Sequence, residues 1–235
     1  MRFILKQKEM IRKLILWLIA IAACQCAWAQ DVADADVVRQ VPRRDGWSAH
    51  LAFELTTPTG SQGRWSTGGG ATLTLSYTHF FTDRLFISPG VGAFYNSMGT
   101  DFFPEYENAY EGTVRNYGIR VPLLGGLSFK LSDNFTLSLA TGPIAHINII
   151  AREKATPDFS GDVAIDPPGD INLFHRGFKR IDLGWEVFGG ITYRGRYSVG
   201  ISGAIGITPV ATMSDAQRRL DIRRNNFAVH VAYTF

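Results

Sequence analysis

The stretch VHVAYTF, Val229–Phe235, closes the chain with a strict alternation of bulky apolar and small or polar side chains. Successive side chains of a β-strand point to opposite faces, so such a stretch has one apolar and one polar face. Chain ends usually fray unless they are tied down. The pattern therefore predicts a terminal strand that pairs with another strand and presents its apolar face, with Phe235, to an apolar medium.

Seven further segments alternate in the same way, and no segment after residue 29 shows the 3.6-residue apolar stripe of a helix. The eight predicted strands are approximately Trp47–Thr56, Gly69–Phe81, Leu85–Ser97, Arg115–Leu131, Phe135–Ala151, Phe178–Tyr193, Tyr197–Thr208 and Arg223–Phe235. Pro89, Pro122 and Pro143 fall inside three of these strands. Since proline lacks the N–H of the ladder, we expect a bulge or a strand end near each.

The connections between these strands alternate between short and long. The short ones are the turns TDR (Thr82–Arg84), SDN (Ser132–Asn134) and RGR (Arg194–Arg196). The long ones are Thr57–Gly68, Met98–Val114, Arg152–Gly177 and Pro209–Ile222. This regular alternation is typical of outer-membrane barrels, whereas soluble sandwiches mix hairpins with Greek-key connections. It predicts an all-β fold: an eight-stranded antiparallel up-and-down transmembrane β-barrel with short periplasmic turns and long extracellular loops.

The two faces of the strands differ in a way that favours lipid on the outside. Small residues share a face with charged ones, which suits a crowded lumen, whereas a soluble surface would be rich in Lys and Glu. A lipocalin-like barrel with its apolar face inward is the alternative. Aromatic residues on the bulky face gather beside the short turns and the chain ends, as an interfacial girdle would. The predicted girdle consists of Trp47, Phe81, Phe129, Phe135, Tyr193, Tyr197, Tyr233 and Phe235.

The first 29 residues have the features of a secretory signal peptide. Basic residues precede the apolar run LILWLIAIAA, and AWA (Ala27–Ala29) forms a cleavage site before Gln30. A rival interpretation takes IAAC as a lipobox, which would make Cys24 a lipidated N-terminus. Cys24 and Cys26 are the only cysteines. Cleavage after Ala29 therefore predicts a mature chain without disulfides or thiol chemistry.

The remaining chain divides into a short tail and the barrel. Residues 30–46 are polar and lack a sustained period, which predicts a flexible periplasmic segment, and residues 47–235 form the barrel. No later apolar run reaches the ~18 residues of a spanning helix. The net charge of +3, without a concentrated basic patch, gives no support for nucleic-acid binding.

Several stretches resemble a known family. The segments YGIRVPLLGGLSF, FTLSLATGP and IDLGWEVFGGITY, with the alternating strand that ends on Phe235, resemble the small outer-membrane β-barrel proteins and in particular the PorT-like barrels. The resemblance covers about Trp47 to Phe235. It implies a location in the outer membrane and recognition of Phe235 by the barrel-assembly machinery. It also implies that a role as a secretion-system component is one alternative, since the family includes such proteins.

Ionisable residues on the small-residue face lie at similar heights in the predicted lumen. They are Glu54, Arg120, His146, Arg180, Asp182 and Glu186. One interpretation is the polar lining of a narrow pore or proton path. The other is a structural core in which carboxylates pair with arginines, because an eight-stranded lumen has room only for side chains. His50 and His230 lie on neighbouring strands near the periplasmic end, but two histidines without a third ligand are a weak metal signal.

Charged residues also gather on the predicted extracellular side. Asp158, Asp162, Asp166 and Asp170 are evenly spaced in the third long loop, yet they lack the EF-hand pattern, so a solvated acidic loop is favoured over a calcium site. Basic residues near the extracellular strand ends could bind lipopolysaccharide phosphates or could serve loop solubility. They are Arg115, Arg152, Lys154, Arg176, Lys179, Arg218, Arg219, Arg223 and Arg224.

No arrangement in the sequence predicts catalysis, a metal or a cofactor. The single histidine on the bulky face, His79, lies beside a periplasmic turn without a convincing serine partner, and glycine-rich phosphate loops and zinc motifs are lacking. We therefore expect a non-enzymatic outer-membrane barrel whose surface loops contact envelope partners, ligands or lipopolysaccharide. The alternatives are a PorT-like secretion accessory, an outer-membrane lipid-modifying enzyme and a soluble ligand-binding barrel.

Overall fold

A computed structural model describes residues 45–60, 65–100, 110–157, 171–215 and 218–235. The predicted signal peptide and residues 30–44 of the predicted periplasmic segment lie outside these ranges. Within these ranges, no helix has the length and apolar character needed to cross a membrane.

Eight long antiparallel strands form a closed barrel. They are β1 (Gly46–Thr59), β2 (Gly68–Phe80), β3 (Leu85–Thr100), β4 (Tyr110–Lys130), β5 (Phe135–Pro157), β6 (Ile181–Tyr193), β7 (Tyr197–Gly206) and β8 (Arg218–Thr234). Each strand pairs with the next along the chain, and β8 pairs with β1. The short strands Trp65–Ser66, Ile171–Asn172 and Ala211–Asp215 and the 3-10 helix Leu173–Arg176 extend the long-loop end.

The C-terminal strand packs against the first strand and closes the barrel. Val231 lies opposite Leu51 and Tyr233 opposite Ala49, and the backbone N–H of Phe235 donates to the carbonyl of Trp47 at 2.9 Å. Closure satisfies both strand edges, which would otherwise expose unpaired backbone groups. The predicted eight-stranded antiparallel barrel is confirmed.

The three short turns define one end of the barrel, called here the short-turn end. In the first turn, the hydroxyl of Thr82 accepts a hydrogen bond from the backbone N–H of Leu85 at 2.9 Å. In the second, the hydroxyl of Ser132 accepts one from the backbone N–H of Phe135 at 3.2 Å. In the third, Arg194 and Gly195 have φ angles of 51° and 67°, and the left-handed conformation favours a glycine there. Local side-chain chemistry thus fixes each turn.

At the opposite end the strands differ in length from the prediction. β3 continues to Thr100, β4 begins at Tyr110 and β5 continues to Pro157, although the loops were expected to begin near Met98 and Arg152. Arg152 and Lys154 in the extension of β5 point outward and are exposed, so a strand that has left the hydrocarbon tolerates them, whereas Glu153 between them points inward and is buried. The sixth strand, by contrast, begins only at Ile181, because the chain before it forms the 3-10 helix.

The strands run through all three internal prolines without a shift of register. Ser76 lies opposite Gly90 and His79 opposite Ile87, which is the same register on both sides of Pro89. The expected bulges at the prolines are therefore wrong. The register shifts instead between Tyr117 and Gly118, opposite an extra residue, Ile149, in β5. A bulge needs one additional residue in one strand, and a proline inserted into an unbroken alternation does not supply it.

The faces of the strands point as the sequence predicted. Leu51, Val187 and Val231 lie on the outer wall with 39%, 46% and 46% of their surface exposed. Glu54, Arg120 and Glu186 lie inside with 5%, 5% and 1% exposed. A charged interior inside an apolar wall matches a barrel in lipid, and it excludes a soluble barrel with an apolar core.

A cluster of buried apolar side chains fills the long-loop end of the barrel. It consists of Trp65, Met98, Val114, Ala151, Leu173, Phe178, Val210, Ala211 and Ile222, and is called here the apolar plug. Four strands, β3, β4, β5 and β8, each contribute one residue to it, and the connecting segments contribute the rest. The plug was not predicted from the sequence, because part of it comes from segments without alternation.

Candidate functional site

Three charged residues meet across the middle of the lumen and form the ionic triad, Glu54, Arg120 and Glu186. Arg120 donates through Nη1 to Glu54 Oε1 at 2.9 Å and through Nη2 to Glu186 Oε2 at 2.5 Å. Glu54 also accepts from the Thr72 hydroxyl at 2.6 Å and from Asn226 Nδ2 at 3.2 Å. The two carboxylates and the guanidinium are thus held by β1, β4 and β6.

Small residues beside the triad make room for its long side chains. Glu54 lies between Gly70 and Ala228 on the neighbouring strands. Glu186 lies between Gly142 and Ala204 in the same way. An eight-stranded lumen is just wide enough for side chains, so large residues need small neighbours at the same height. The glycine and alanine content of the inner face thereby positions the charges.

A second polar layer lies next to the triad and is centred on Asp182. Its Oδ2 accepts from Arg224 Nη2 at 2.5 Å and from Asn148 Nδ2 at 2.9 Å, and its Oδ1 lies 3.3 Å from His146 Nδ1. The guanidinium of Arg224 also lies 5.0 Å from the centre of the Phe94 ring. This layer lies between the triad and the apolar plug, and its side chains are buried.

Two predicted assignments of arginines are wrong. Arg180 was expected in the lumen, but it lies before the start of β6, is exposed, and stacks its guanidinium 4.4 Å from the Phe174 ring centre. Arg224 was expected at the extracellular surface near lipopolysaccharide, but it is buried in the lumen with 3% of its surface exposed. The alternation of β8 explains this, since Arg224 shares the inner face with Ala228 and His230.

The two histidines near the short-turn end bind serines. Nε2 of His50 is hydrogen-bonded to the Ser76 hydroxyl at 3.1 Å, and Nε2 of His230 to the Ser202 hydroxyl at 2.7 Å. The ring of Phe188 meets that of His230 edge to face at 5.4 Å between centroids. In the part of the chain that the structure describes, no three His, Cys, Asp or Glu side chains are grouped as a metal site requires.

A cavity of about 390 Å³ opens at the short-turn end and ends at the triad. Arg120, Glu186, His50 and His230 line its inner part. Twelve of its lining residues are serine or threonine, and Phe80, Phe86 and Phe188 supply aromatic surface. The lumen is therefore open and hydroxyl-lined on one side of the triad and filled on the other.

The structure places the predicted aromatic girdle around the short-turn end. Trp47 contacts Tyr77, Phe135 contacts Tyr193, and Tyr233 contacts both Tyr197 and Phe235, with ring centroids 5.2–5.4 Å apart. Phe81 is exposed beside His79, whereas Phe129 is only half-exposed. The rings thus lie on the outer wall at similar heights.

Three basic residues form a patch on the outer wall at the long-loop end. Arg115 of β4 lies directly opposite Arg152 of β5, and Lys154 follows on β5 with its side chain also outward and exposed. This set, Arg115, Arg152 and Lys154, is called here the rim patch. Immediately below it lie the exposed side chains of Tyr117 and Ile150. Tyr117 also stacks on Tyr95 with 4.8 Å between centroids.

The other predicted basic and acidic positions are spread more widely. Arg223 is exposed on β8 opposite Thr59, and Lys179 is half-buried beside β6. The side chains of Arg176, Arg218 and Arg219 and the aspartates 158, 162, 166 and 170 lie outside the described part of the structure. The described basic side chains that are brought together are those of the rim patch.

Comparison with family models shows to which protein family the chain belongs. A model described as "Outer membrane protein beta-barrel domain" matches residues 42–211, which is more than half of the sequence. The chain belongs to this family. It is accordingly an outer-membrane protein, and by the convention of such barrels its short turns face the periplasm and its long loops face outward. A search of curated proteins finds no match.

Solved barrels are similar to this chain at low identity. Neisserial surface protein A is 12% identical, with 81% of this chain and 97% of that chain covered and a TM-score of 0.42. The attachment invasion locus protein Ail of Yersinia pestis is 13% identical, with 82% and 100% covered and a TM-score of 0.37. The outer membrane enzyme PagL is 12% identical, with 78% and 97% covered and a TM-score of 0.39.

Proposed function

We propose that this protein is a non-enzymatic outer-membrane barrel that binds lipopolysaccharide phosphates through the rim patch of Arg115, Arg152 and Lys154. The observation that carries the proposal is the direct pairing of two arginines across β4 and β5 at the edge of the apolar wall. Arginine binds phosphate with two parallel hydrogen bonds, and two neighbouring arginines with a lysine suit a multiply charged lipid head group.

The pairing itself argues for an anionic partner. Like charges directly opposite on adjacent strands destabilise a sheet by roughly 0.2–1 kcal/mol. Arg115 and Arg152 have this arrangement and are both exposed on the outer wall. A phosphate above the pair would accept hydrogen bonds from both guanidiniums and reduce their mutual repulsion.

The position of the rim patch at the end of the apolar wall supports contact with lipid head groups. The residues one step closer to the membrane centre, Tyr117 and Ile150, are exposed and apolar or aromatic, and aromatic residues gather at membrane interfaces. The patch therefore begins where the apolar wall ends. Phosphates of the outer leaflet would lie at that level on the extracellular side.

The lumen gives no support for a pore. The ionic triad, the Asp182 layer and the apolar plug block it in succession across the described residues. This supports a function on the outer surface rather than in transport. The outward histidine, His79, is hydrogen-bonded to Asp45 at 2.7 Å, and its ring meets that of Phe81 edge to face at 5.1 Å between centroids.

The test compares thermal unfolding with and without lipopolysaccharide. For the unchanged protein we expect the midpoint to rise when lipopolysaccharide is added, since a ligand at 100 times its Kd stabilises by about 2.7 kcal/mol. The variant Arg115→Gln/Arg152→Gln should lose most of this rise and keep its stability in plain detergent. The matched control Arg194→Gln/Arg196→Gln removes two arginines at the periplasmic turn and should keep the rise. Equal loss of stability in plain detergent would contradict the proposal.

The non-enzymatic part has a separate readout. A mass spectrum of lipid A from a deletion strain should be unchanged, whereas a missing or new acyl or phosphate group would favour a lipid-modifying enzyme. Co-purification with a translocon would favour a secretion accessory. Recognition of Phe235 by the barrel-assembly machinery and cleavage of the signal peptide after Ala29 remain predictions from the sequence.

A further inference from the structure

We propose that the periplasmic cavity binds a small soluble organic ammonium ion, with its charged group directed at the ionic triad. The proposal is independent of the rim patch, which lies at the other end of the barrel. It rests on three features: the net negative charge of the ionic triad at the inner end of the cavity, the chemistry of the cavity walls and the accessibility of the cavity from the periplasm.

The ionic triad carries more acid than base, and two of its members, Arg120 and Glu186, form the floor of the cavity. Glu54 and Glu186 share the single guanidinium of Arg120, so the triad has a net charge of −1. The next layer does not compensate for it, because Asp182 and Arg224 neutralise each other. A charge held in a low-dielectric interior is costly unless an opposite charge accompanies it. The triad therefore favours a cation.

The remaining titratable groups around the cavity do not supply that cation. His50 and His230 are bonded to serine hydroxyls rather than to carboxylates. At the mouth, Lys130 is paired with Asp133 at 3.0 Å. Arg194 borders the cavity at the turn, and its guanidinium lies 5.2 Å from the centre of the Tyr193 ring. Neither of these two cations is paired with the triad, and a cation from the periplasm would supply a counter-charge at the floor.

The walls suit an organic ammonium ion better than a metal ion. Hydroxyls such as those of Ser138 and Thr74 accept hydrogen bonds from N–H donors, and the rings of Phe86 and Phe188 offer faces that attract cations. The volume of about 390 Å³ falls in the range of sites for small organic molecules, about 300–1,000 Å³. A bare metal ion would leave most of that space to water.

Access to the cavity selects a soluble amine rather than a lipid head group. The closed ring of strands surrounds the cavity on all sides, and its opening lies among the turn residues Ser132, Asn134 and Gly195. A lipid amine would have to leave the bilayer plane to reach it. A free amine in the periplasm enters directly.

The test is titration calorimetry on the full-length protein in amine-free phosphate buffer at about pH 8, where unpaired imidazoles are neutral. The probes are ethanolamine, ethylene glycol and glycolate, which have nearly the same size and differ in charge. We expect saturable binding of ethanolamine alone. Similar binding of ethylene glycol, or no binding of ethanolamine, would overturn the proposal.

Two variants locate the site. Glu186→Gln neutralises the floor and should weaken ethanolamine binding by about tenfold or more. Since a change in the triad could affect folding, Ser138→Trp provides a second route, because it fills the cavity and leaves the triad intact. Leu137→Trp, which faces outward on the same strand, is its control. Binding that survives Ser138→Trp would overturn the proposal.

A final arm separates the two sources of an amine. Ethanolamine binding is measured in nanodiscs made with phosphatidylcholine alone and with added phosphatidylethanolamine. Equal affinity in both is expected for a soluble ligand. Loss of the binding when phosphatidylethanolamine is present would show that the lipid head group occupies the cavity, which overturns the assignment to a soluble amine.

Discussion

The two halves of the lumen are built from the same eight strands yet have opposite interiors. On the periplasmic side of the ionic triad the inner face is rich in serine and threonine and encloses an open cavity. On the extracellular side the inner face is closed first by the Asp182 layer and then by the apolar plug. The difference shows that the barrel excludes water from one direction only.

The two halves also contribute to stability in different ways. The plug gains stability from the burial of apolar side chains, which depends on tight packing. In the periplasmic half many polar side chains line the open cavity, and buried ones such as Ser202 and His230 are hydrogen-bonded to each other, so removing one hydroxyl costs about one hydrogen bond. The triad is the boundary, since its charges are buried but lie at the floor of the open cavity. Changes at these three places should therefore differ in size.

The largest effect is expected at the boundary. Arg120→Leu leaves Glu54 and Glu186 buried without their cation, and breaking a buried pair in this way costs about 3–5 kcal/mol of unfolding free energy. Urea unfolding in detergent, followed by tryptophan fluorescence, measures the loss. A loss below about 1 kcal/mol would mean that water reaches both carboxylates and that the boundary does not exist.

A rescue variant controls for this result. The triple change Glu54→Gln/Arg120→Leu/Glu186→Gln removes all three charges together. It should recover most of the stability, because replacing a complete buried ionic group with neutral residues is often nearly neutral in free energy. No recovery would mean that the arginine acts through packing rather than through charge.

A smaller loss is expected from the plug. Ile222→Ala removes a side chain that is almost fully buried in the plug and should cost about 3 kcal/mol. The matched control Ile201→Ala, on the lipid-facing wall, should cost clearly less, because its side chain packs on one side only. Planar-bilayer recordings of Ile222→Ala should show no conductance, since the triad still closes the lumen. A conducting variant would identify the plug as the sole barrier.

The smallest effect is expected in the periplasmic half. Ser202→Ala removes the hydroxyl that is bonded to Nε2 of His230 and should cost about 1 kcal/mol. Ser198→Ala breaks the hydrogen bond between the Ser198 and Thr192 hydroxyls at the cavity mouth. It should cost roughly a few tenths of a kcal/mol of unfolding free energy, because water replaces the lost partner. If Ser202→Ala and Ser198→Ala each lose as much unfolding free energy as Ile222→Ala, water is excluded equally from the two halves of the lumen.

The sequence predicted those parts of the fold that depend on local chemistry. The period-two alternation identified the strands and their inner faces, and the Asp, Asn and Gly residues identified the three turns. Glu54, Arg120 and Glu186 were placed on the inner face at similar heights by counting from the turns. The structure brings them together because the strands have regular lengths on that side.

Other features depend on contacts that alternation does not encode. The alternation of the predicted sixth strand placed Arg180 on the inner face, but the strand begins only after it, at Ile181. Arg224 followed the parity of β8, and its charge led to the wrong assignment to the surface. The plug joins residues such as Trp65 and Leu173 from connecting segments. Only the full set of long-range contacts determines where those segments lie.

The bulge at Ile149 determines on which face of the barrel the charged residues that follow it in β5 lie. Before this position β5 turns its even-numbered side chains inward, as at His146 and Asn148, and after it the odd-numbered ones, as at Ala151. If β5 alternated regularly through Ile149, without the bulge, Arg152 and Lys154 would project into the lumen, and the rim patch would lose two of its three cations. The bulge at Ile149 thus keeps the two positive charges of β5 on the outer face of the barrel.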